Sequence, residues 1–288
     1  MSPTRLSADE FLALAQRIAT TATPTPADAL AGIATVRSGR VVSAGDQPAL
    51  PALPEDASPP RAEPSAYRLT QWTDAAQDWE ATNDRLEIDI HGATSMTHID
   101  ATSHFRWAGA PHPESGGDAL LALAGSGVVG RGVLIDVPGV LERAASAEPI
   151  GLADVRESLA RSGAEIRPGD TVYIAFGRDA PARSDVPLAS VPSAGLSIEC
   201  AEWLASRSPA AIVTDEGLDP FPSEVDGELV PWHVLVLTVL RIPLVDRARL
   251  TELARECREL GRWEFLSILA PLPIPGASGS PLNPLAVF

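Results

Sequence analysis

Asp89-Ile-His91-Gly-Ala-Thr94-Ser-Met96-Thr97-His98-Ile-Asp100-Ala-Thr102-Ser-His104-Phe-Arg-Trp107 gathers three of the chain's five histidines around the carboxylate of Asp100. His98 and Asp100 stand two apart, which on an extended segment puts both side chains on one face. A turn beginning at Asp100 brings His104 back toward them. The resulting cluster offers three ligands for a transition metal, or two ligands and a general base. A lone histidine among small residues is more often a hydrogen-bonded structural group, but H-x-D-x-x-x-H in a chain so poor in histidine marks a site. His91 lies seven residues before His98, faces the opposite side of an unbroken strand, and is the weaker candidate.

Working outward, 288 residues with 45% hydrophobic content are enough to bury a substantial core. The whole chain, residues 1–288, reads as one domain, with an N-terminal helical segment over about 7–40 and a Pro/Ala-rich loop over about 46–66. The net charge of −16 argues against a nucleic-acid partner or an anionic membrane surface. Cys200 and Cys257 are far apart and lack metal-ligand spacing, so they are expected as free thiols in a reducing compartment. The first residues show no basic segment followed by an apolar run, and no stretch reaches transmembrane length. A cytoplasmic protein is the expectation.

Ser7-Ala-Asp-Glu10 is a capping box that opens an apolar-periodic helix with Phe11, Leu12, Leu14 and Ile18. A second short helix starts at Pro26 and is expected to end near Ser38-Gly39, followed by a strand at Arg40-Val-Val-Ser. From Leu86 onward strands and helices alternate: strands at 86–90, 127–137, 171–176 and 211–214, helices at 153–162, 197–206 and 250–260. Trp232-His233-Val-Leu-Val-Leu begins a helix or strand too apolar to be exposed. The class is α/β or mixed α+β.

Thr97-His98-Ile-Asp100-Ala-Thr-Ser-His104-Phe resembles the signature H-x-G-T-H-x-D-x-P-x-H of the cyclase family, which includes bacterial kynurenine formamidase and isatin hydrolase. Further blocks follow in the family's order: Arg131-Gly-Val-Leu-Ile-Asp136, Arg167-Pro-Gly-Asp170, Gly195-Leu, Ile212-Val-Thr-Asp215, Pro231-Trp-His233, Arg262-Trp-Glu-Phe-Leu and Gly279-Ser-Pro-Leu-Asn-Pro. The resemblance implies a swivelling β/β/α fold that forms homodimers or higher oligomers. It also implies one or two divalent ions, Zn²⁺ or Mn²⁺, and hydrolysis of small amides, lactams or lactones.

Carried over by position, His98, Asp100 and His233 are metal ligands, and Asp246 stands where the family usually has a ligand glutamate. His104 matches the histidine that moves protons, with Asp100 beside it in the catalytic set. The departures are Thr94 in place of the first ligand histidine, Met96 in place of glycine and Thr102 in place of proline. Ser197 stands where Gly-Leu-His is common. Substrate contacts therefore differ, and Thr94, Ser197 and Trp107 are the expected substrate-binding positions, whereas Trp72 reads as core packing.

Three functions fit this pattern. The first is a metal-dependent hydrolase of a small-molecule substrate. The second is a metal-independent cyclase, dehydratase or isomerase of secondary metabolism using His104 and Asp100, motivated by the missing first ligand. The third is a non-catalytic member, since folds host more than one function.

Overall fold

Ser7 and Glu10 close the first helix on itself. The Ser7 N–H and hydroxyl both donate to Glu10 Oε2 at 2.8 Å, and the Glu10 N–H returns to Ser7 Oγ, so α1 (Ala8–Ile18) starts at the expected box. The computed structural model describes residues 5–18, 24–46, 67–91, 95–108, 119–142, 147–177 and 193–288. The second helix, α2 (Pro26–Ile33), ends earlier than Ser38-Gly39. The reason is local: the Thr35 hydroxyl donates to Gly32 O at 2.7 Å, a side-chain bond that competes with continued helix. Strand β1 (Val41–Ser43) follows as expected, and most of the 46–66 loop lies outside the described residues.

Two long strands, β2 (Tyr67–Ala76) and β3 (Trp79–Ile88), pair antiparallel as a sheet of their own. The expected strand at 86–90 is the end of β3. Its burial pattern is exposed at nearly every position, so it carries no apolar alternation from which its length can be read. Trp72 sits half-buried on this hairpin, outside both hydrophobic cores, which corrects its expected place.

The remaining strands are β4 (His98–Asp100), β5 (Val128–Asp136), β6 (Thr171–Ala175), β7 (Ala211–Thr214), β8 (Leu244–Asp246), β9 (Glu264–Leu269), β10 (Gly279–Pro281) and β11 (Leu285–Val287). With β1 they form one nine-stranded sheet in the order β1-β11-β9-β5-β6-β7-β8-β4-β10. Strands β5 to β8 run parallel, and antiparallel strands extend the sheet on both sides. The helices are α3 (Ala119–Ser126), α4 (Val137–Val140), α5 (Leu152–Ser162), α6 (Ala201–Ser206), α7 (Pro231–His233) and α8 (Thr251–Leu260). The fold is mixed α+β.

Alternation along the central strands divides the core in two. Val133, Ile135, Val172, Ile174 and Ile212 enter one apolar cluster, while Leu134, Tyr173, Ala175 and Val213 enter the other. Both faces of the parallel strands are thus covered, which is why they read as continuous apolar runs. The Arg131 guanidinium ties β5 to its flanks, with Nε and Nη2 on the Asp170 carboxylate at 3.0 and 2.7 Å and Nη1 on Glu264 Oε2 at 2.6 Å. Cys200 and Cys257 are buried free thiols. Among the described residues no helix is long and apolar enough to cross a membrane.

Candidate functional site

Strand β4 is three residues long and lies between β8 and β10, where register places its side chains. His98 is paired with Asp246, and Asp100 is paired with Gly279. Direct partners on antiparallel strands share a face, so His98, Asp100, Asp246 and position 279 all look the same way. The Thr97 hydroxyl fixes the strand by donating to Arg247 O and accepting from the Asp46 N–H, both at 2.7 Å.

The Asp100 side chain is 1% exposed and is ringed by four imidazoles. Its Oδ1 lies 3.0 Å from His91 Nε2 and 3.5 Å from His98 Nε2, and its Oδ2 lies 3.9 Å from both His104 Nε2 and His233 Nε2. As expected, a turn after β4 brings His104 back, with its N–H donating to Ala101 O. His91 is a correction. The chain is not an unbroken strand between His91 and His98, because β3 ends at Ile88, the backbone bends at His91, and extended structure resumes at His98. Strand parity therefore does not apply, and His91 stacks on His104 with ring centroids 3.8 Å apart.

Hydrogen bonds on the far side of each ring decide which nitrogen faces the cluster. His98 Nδ1–H donates to Met96 O at 2.7 Å, leaving the Nε2 lone pair directed inward. His233 Nδ1 is held by a short bond to Asp219, leaving Nε2 3.0 Å from Asp246 Oδ2. This is the arrangement in which metal-bound histidines are usually held. Asp246 Oδ1 in turn accepts from the Thr214 hydroxyl at 3.0 Å. Two sets of three donors, His91/His98/Asp100 and Asp100/His233/Asp246, have ligand atoms all within 4.8 Å of one another, compact enough for a cation. His91 Nε2 and Asp100 Oδ1 are buried and make no hydrogen bond although they lie 3.0 Å apart, so the donor set fits a cation shared by both atoms.

Burial, reinforced by the neighbouring imidazoles and opposed by Asp100, lowers the His104 pKa to about 4. His104 is thus a neutral base at neutral pH. For His233 burial acts downward, but Asp246 and Asp219 outweigh it and hold the imidazole well above its ordinary value. The Asp246 carboxyl is kept low by that imidazolium in spite of its own burial.

Asp219 joins the cluster through His233 and is not foreseen from the sequence. Its carboxylate also accepts from the Trp232 and His233 backbone N–H groups, so it caps α7 while orienting the histidine. Gly195 makes its position possible: at φ +61°, with a built Cβ 2.3 Å from Pro220 N, only glycine lets the 219–220 backbone approach. Trp232, fully buried, donates from its ring to Leu196 O, so Gly195-Leu196 docks both ends of the His233 mount. After His233 the helix continues over Val234–Val239 with widened i to i+5 hydrogen bonds, a feature frequent at functional sites. Two other sequence-predicted positions, Trp107 and Ser197, are not drawn into the cluster's hydrogen bonds. Trp107 packs edge-on against Phe11 and donates to Glu228, the Ser197 hydroxyl donates to Glu224 at 3.2 Å, and Thr94 lies outside the described residues.

The site thus lies near one edge of the mixed sheet, on the penultimate strand β4, whose H-x-D carries a buried His/Asp cluster on its face. The sequence profile of the Cyclase family matches residues 20–218, and the chain belongs to that family. Among solved structures it is similar to one described as a novel cyclase, with 23% identity and a TM-score of 0.72, covering 92% of this chain and 93% of that one. It is also similar to isatin hydrolase A from Ralstonia solanacearum, at 22% identity, TM-score 0.58, and 94% and 100% coverage. Isatin hydrolase A from Labrenzia aggregata, bound to benzyl benzoate, gives 21% identity, TM-score 0.57, and 86% and 93% coverage. At such identities the likeness is one of fold. Comparison with curated proteins gives no match.

Proposed function

We propose that the protein is a metal-dependent hydrolase that opens a small amide, lactam or lactone. The observation that carries this reading is the buried Asp100 carboxylate facing imidazole nitrogens whose opposite ring atoms are already committed. His98, Asp100, His233 and Asp246 would hold a divalent ion, Zn²⁺ or Mn²⁺. The chemistry supplied by such an ion is Lewis acidity, which polarises a carbonyl and makes water acidic enough to attack at neutral pH.

The protein's own part is orientation and proton transfer. Asp219 and Met96 O fix the His233 and His98 rings, so that Nε2 of His98 faces Asp100 and Nε2 of His233 faces Asp246. His104, neutral because it is buried, takes the proton of the attacking water and returns it to the leaving nitrogen or oxygen. Thr94, Trp107 and Ser197 are assigned to substrate binding, with Trp107 as a wall for an aromatic group. The net charge of −16 supports a small-molecule substrate over a nucleic acid or membrane partner. The two free thiols support a cytoplasmic setting. The solitary hairpin β2–β3, with Trp79 and Leu86 exposed, supports a homodimer or higher homo-oligomer, because two-stranded sheets are marginal in water without packing partners.

The test is metal content after chelator-free purification, measured by inductively coupled plasma mass spectrometry, with a hydrolysis screen of formamides, lactams and lactones. About one or two equivalents of Zn or Mn, with chelator-sensitive turnover, is expected. Protein that neither carries metal nor recovers it on addition refutes the reading. One observation favours metal-independent isomerisation or dehydration instead: the charged His233 is already neutralised by Asp219 and Asp246. Turnover unaffected by chelation would select that alternative.

A further inference from the structure

We propose that His91 is a further protein ligand of this metal site, completing with His98 and Asp100 a set of three on the Asp100 Oδ1 side, in the role vacated where Thr94 replaces the family's first histidine. The inference rests on the metal-dependent reading above and adds a residue that sequence parity had directed away from the site.

Three independent features converge on the His91 ring. Its Nε2 atom and Asp100 Oδ1 are 3.0 Å apart, yet neither makes a hydrogen bond. Two buried polar atoms that approach this closely without bonding are left unsatisfied unless a third partner lies beside both, and a cation bound by both atoms at about 2.0–2.2 Å from each would satisfy them. His98 Nε2, with its lone pair facing inward, lies 3.5 Å from the same carboxylate oxygen, and the three ligand atoms fall within 4.8 Å of one another. Two imidazoles and one carboxylate are a common three-residue zinc set with an open fourth position.

The second feature is the space that His91 occupies. Register pairs Gly279 with Asp100, so any side chain at 279 would project onto the ligand face. A Cβ built there would lie 2.5 Å from His91 Nε2 and 3.0 Å from His91 Cε1, so the missing side chain is the cradle for the ring. The third is the other face of the ring, which lies flat on His104 at 3.8 Å with planes 13° apart. Packed between Gly279 and His104, the imidazole is confined before any ion arrives.

Stacking alone is the rival explanation, and His91→Phe separates the two because it keeps an aromatic face for His104 and removes the nitrogen. Metal-free wild type, His98→Ala, His91→Phe and Gly279→Ala are dialysed against Zn(II), and bound zinc is counted by inductively coupled plasma mass spectrometry. Thermal melting of each metal-free protein reports whether it folds. The expected result is zinc bound by wild type and affinity lowered at least about 100-fold in both His98→Ala and His91→Phe, at or beyond the upper end of the cost of losing an outer partner. Gly279→Ala weakens binding through the displaced ring. Zinc affinity unchanged in His91→Phe, with binding lost in His98→Ala, overturns the ligand role of His91 and leaves the hydrolase reading standing. No zinc on wild type overturns both.

Discussion

The two oxygens of Asp100 face unlike surroundings. On the Oδ1 side, His91 Nε2 and the oxygen itself are buried without hydrogen bonds, and His98 presents a lone pair. On the Oδ2 side, His233 is clamped between Asp219 and Asp246, and Asp246 is supported by Thr214. One half of the site is therefore left incomplete by its own residues, while the other is closed by its own hydrogen bonds. The difference teaches where an ion matters most. Each unsatisfied buried group costs about 1–3 kcal/mol, which a cation on the Oδ1 side would recover, whereas the Oδ2 side has little to gain beyond exchanging one positive partner for another.

The most severe way to break this contrast is Asp100→Ala, because that carboxylate is the member common to both halves. Metal binding and hydrolysis are both expected to vanish, read by bound zinc and by turnover. Retained activity in this variant would sink the scheme. His104→Ala comes next and sharpens it. This imidazole stacks on His91 but is 3.9 Å from the carboxylate, so bound metal should stay while turnover falls about 10²- to 10⁴-fold. Loss of metal in His104→Ala would place it among the ligands instead.

What the sequence made legible follows from how far each interaction reaches. The Ser7/Glu10 box and the His98/Asp100 pair are local, set by three-residue and two-residue spacing, and both are found as read. Strands β5, β6 and β7 were visible because burial on both faces leaves nearly unbroken apolar runs. The hairpin β2–β3 was hidden for the opposite reason, since exposure on both faces removes the alternation that announces a strand. His91 was misplaced because the bend before β4 is invisible to a parity rule. Asp219 was unreadable among Glu216, Glu224, Asp226 and Glu228 in the same segment, and only the close approach at Gly195 singles it out. Gly279 acquires meaning from a strand register that pairs residues far apart in sequence.

Asp219→Ala tests the closed half with a smaller expected effect. Removal frees His233 Nδ1 and uncaps the helix that carries it, so metal affinity or turnover should drop about 10- to 100-fold, with about 1 kcal/mol of stability lost from the cap. Asp219→Asn retains an oxygen acceptor for the ring N–H and should recover part of the activity. If Asn and Ala variants are equally impaired, the negative charge of Asp219, and not its orientation of the ring, is what His233 requires.

The smallest effect is expected from Thr214→Val, which keeps the shape of the β7 side chain and deletes one hydroxyl. Thr214 is fully buried, and its hydroxyl donates to the Asp246 oxygen that His233 does not use. Asp246 therefore keeps its imidazole partner and its register opposite His98 when the hydroxyl is lost. A hydrogen bond to a charged group contributes about 1.5–3 kcal/mol, so the melting temperature of the metal-free protein should fall measurably. Zinc affinity should change by less than about tenfold, below the full cost of an outer partner, because the hydroxyl acts on the half of the site whose groups already bond to one another. A larger loss of zinc than of stability would mean that Asp246 is poised by Thr214 for the ion rather than for His233, and the contrast between the two halves would then be weaker than their hydrogen bonds suggest.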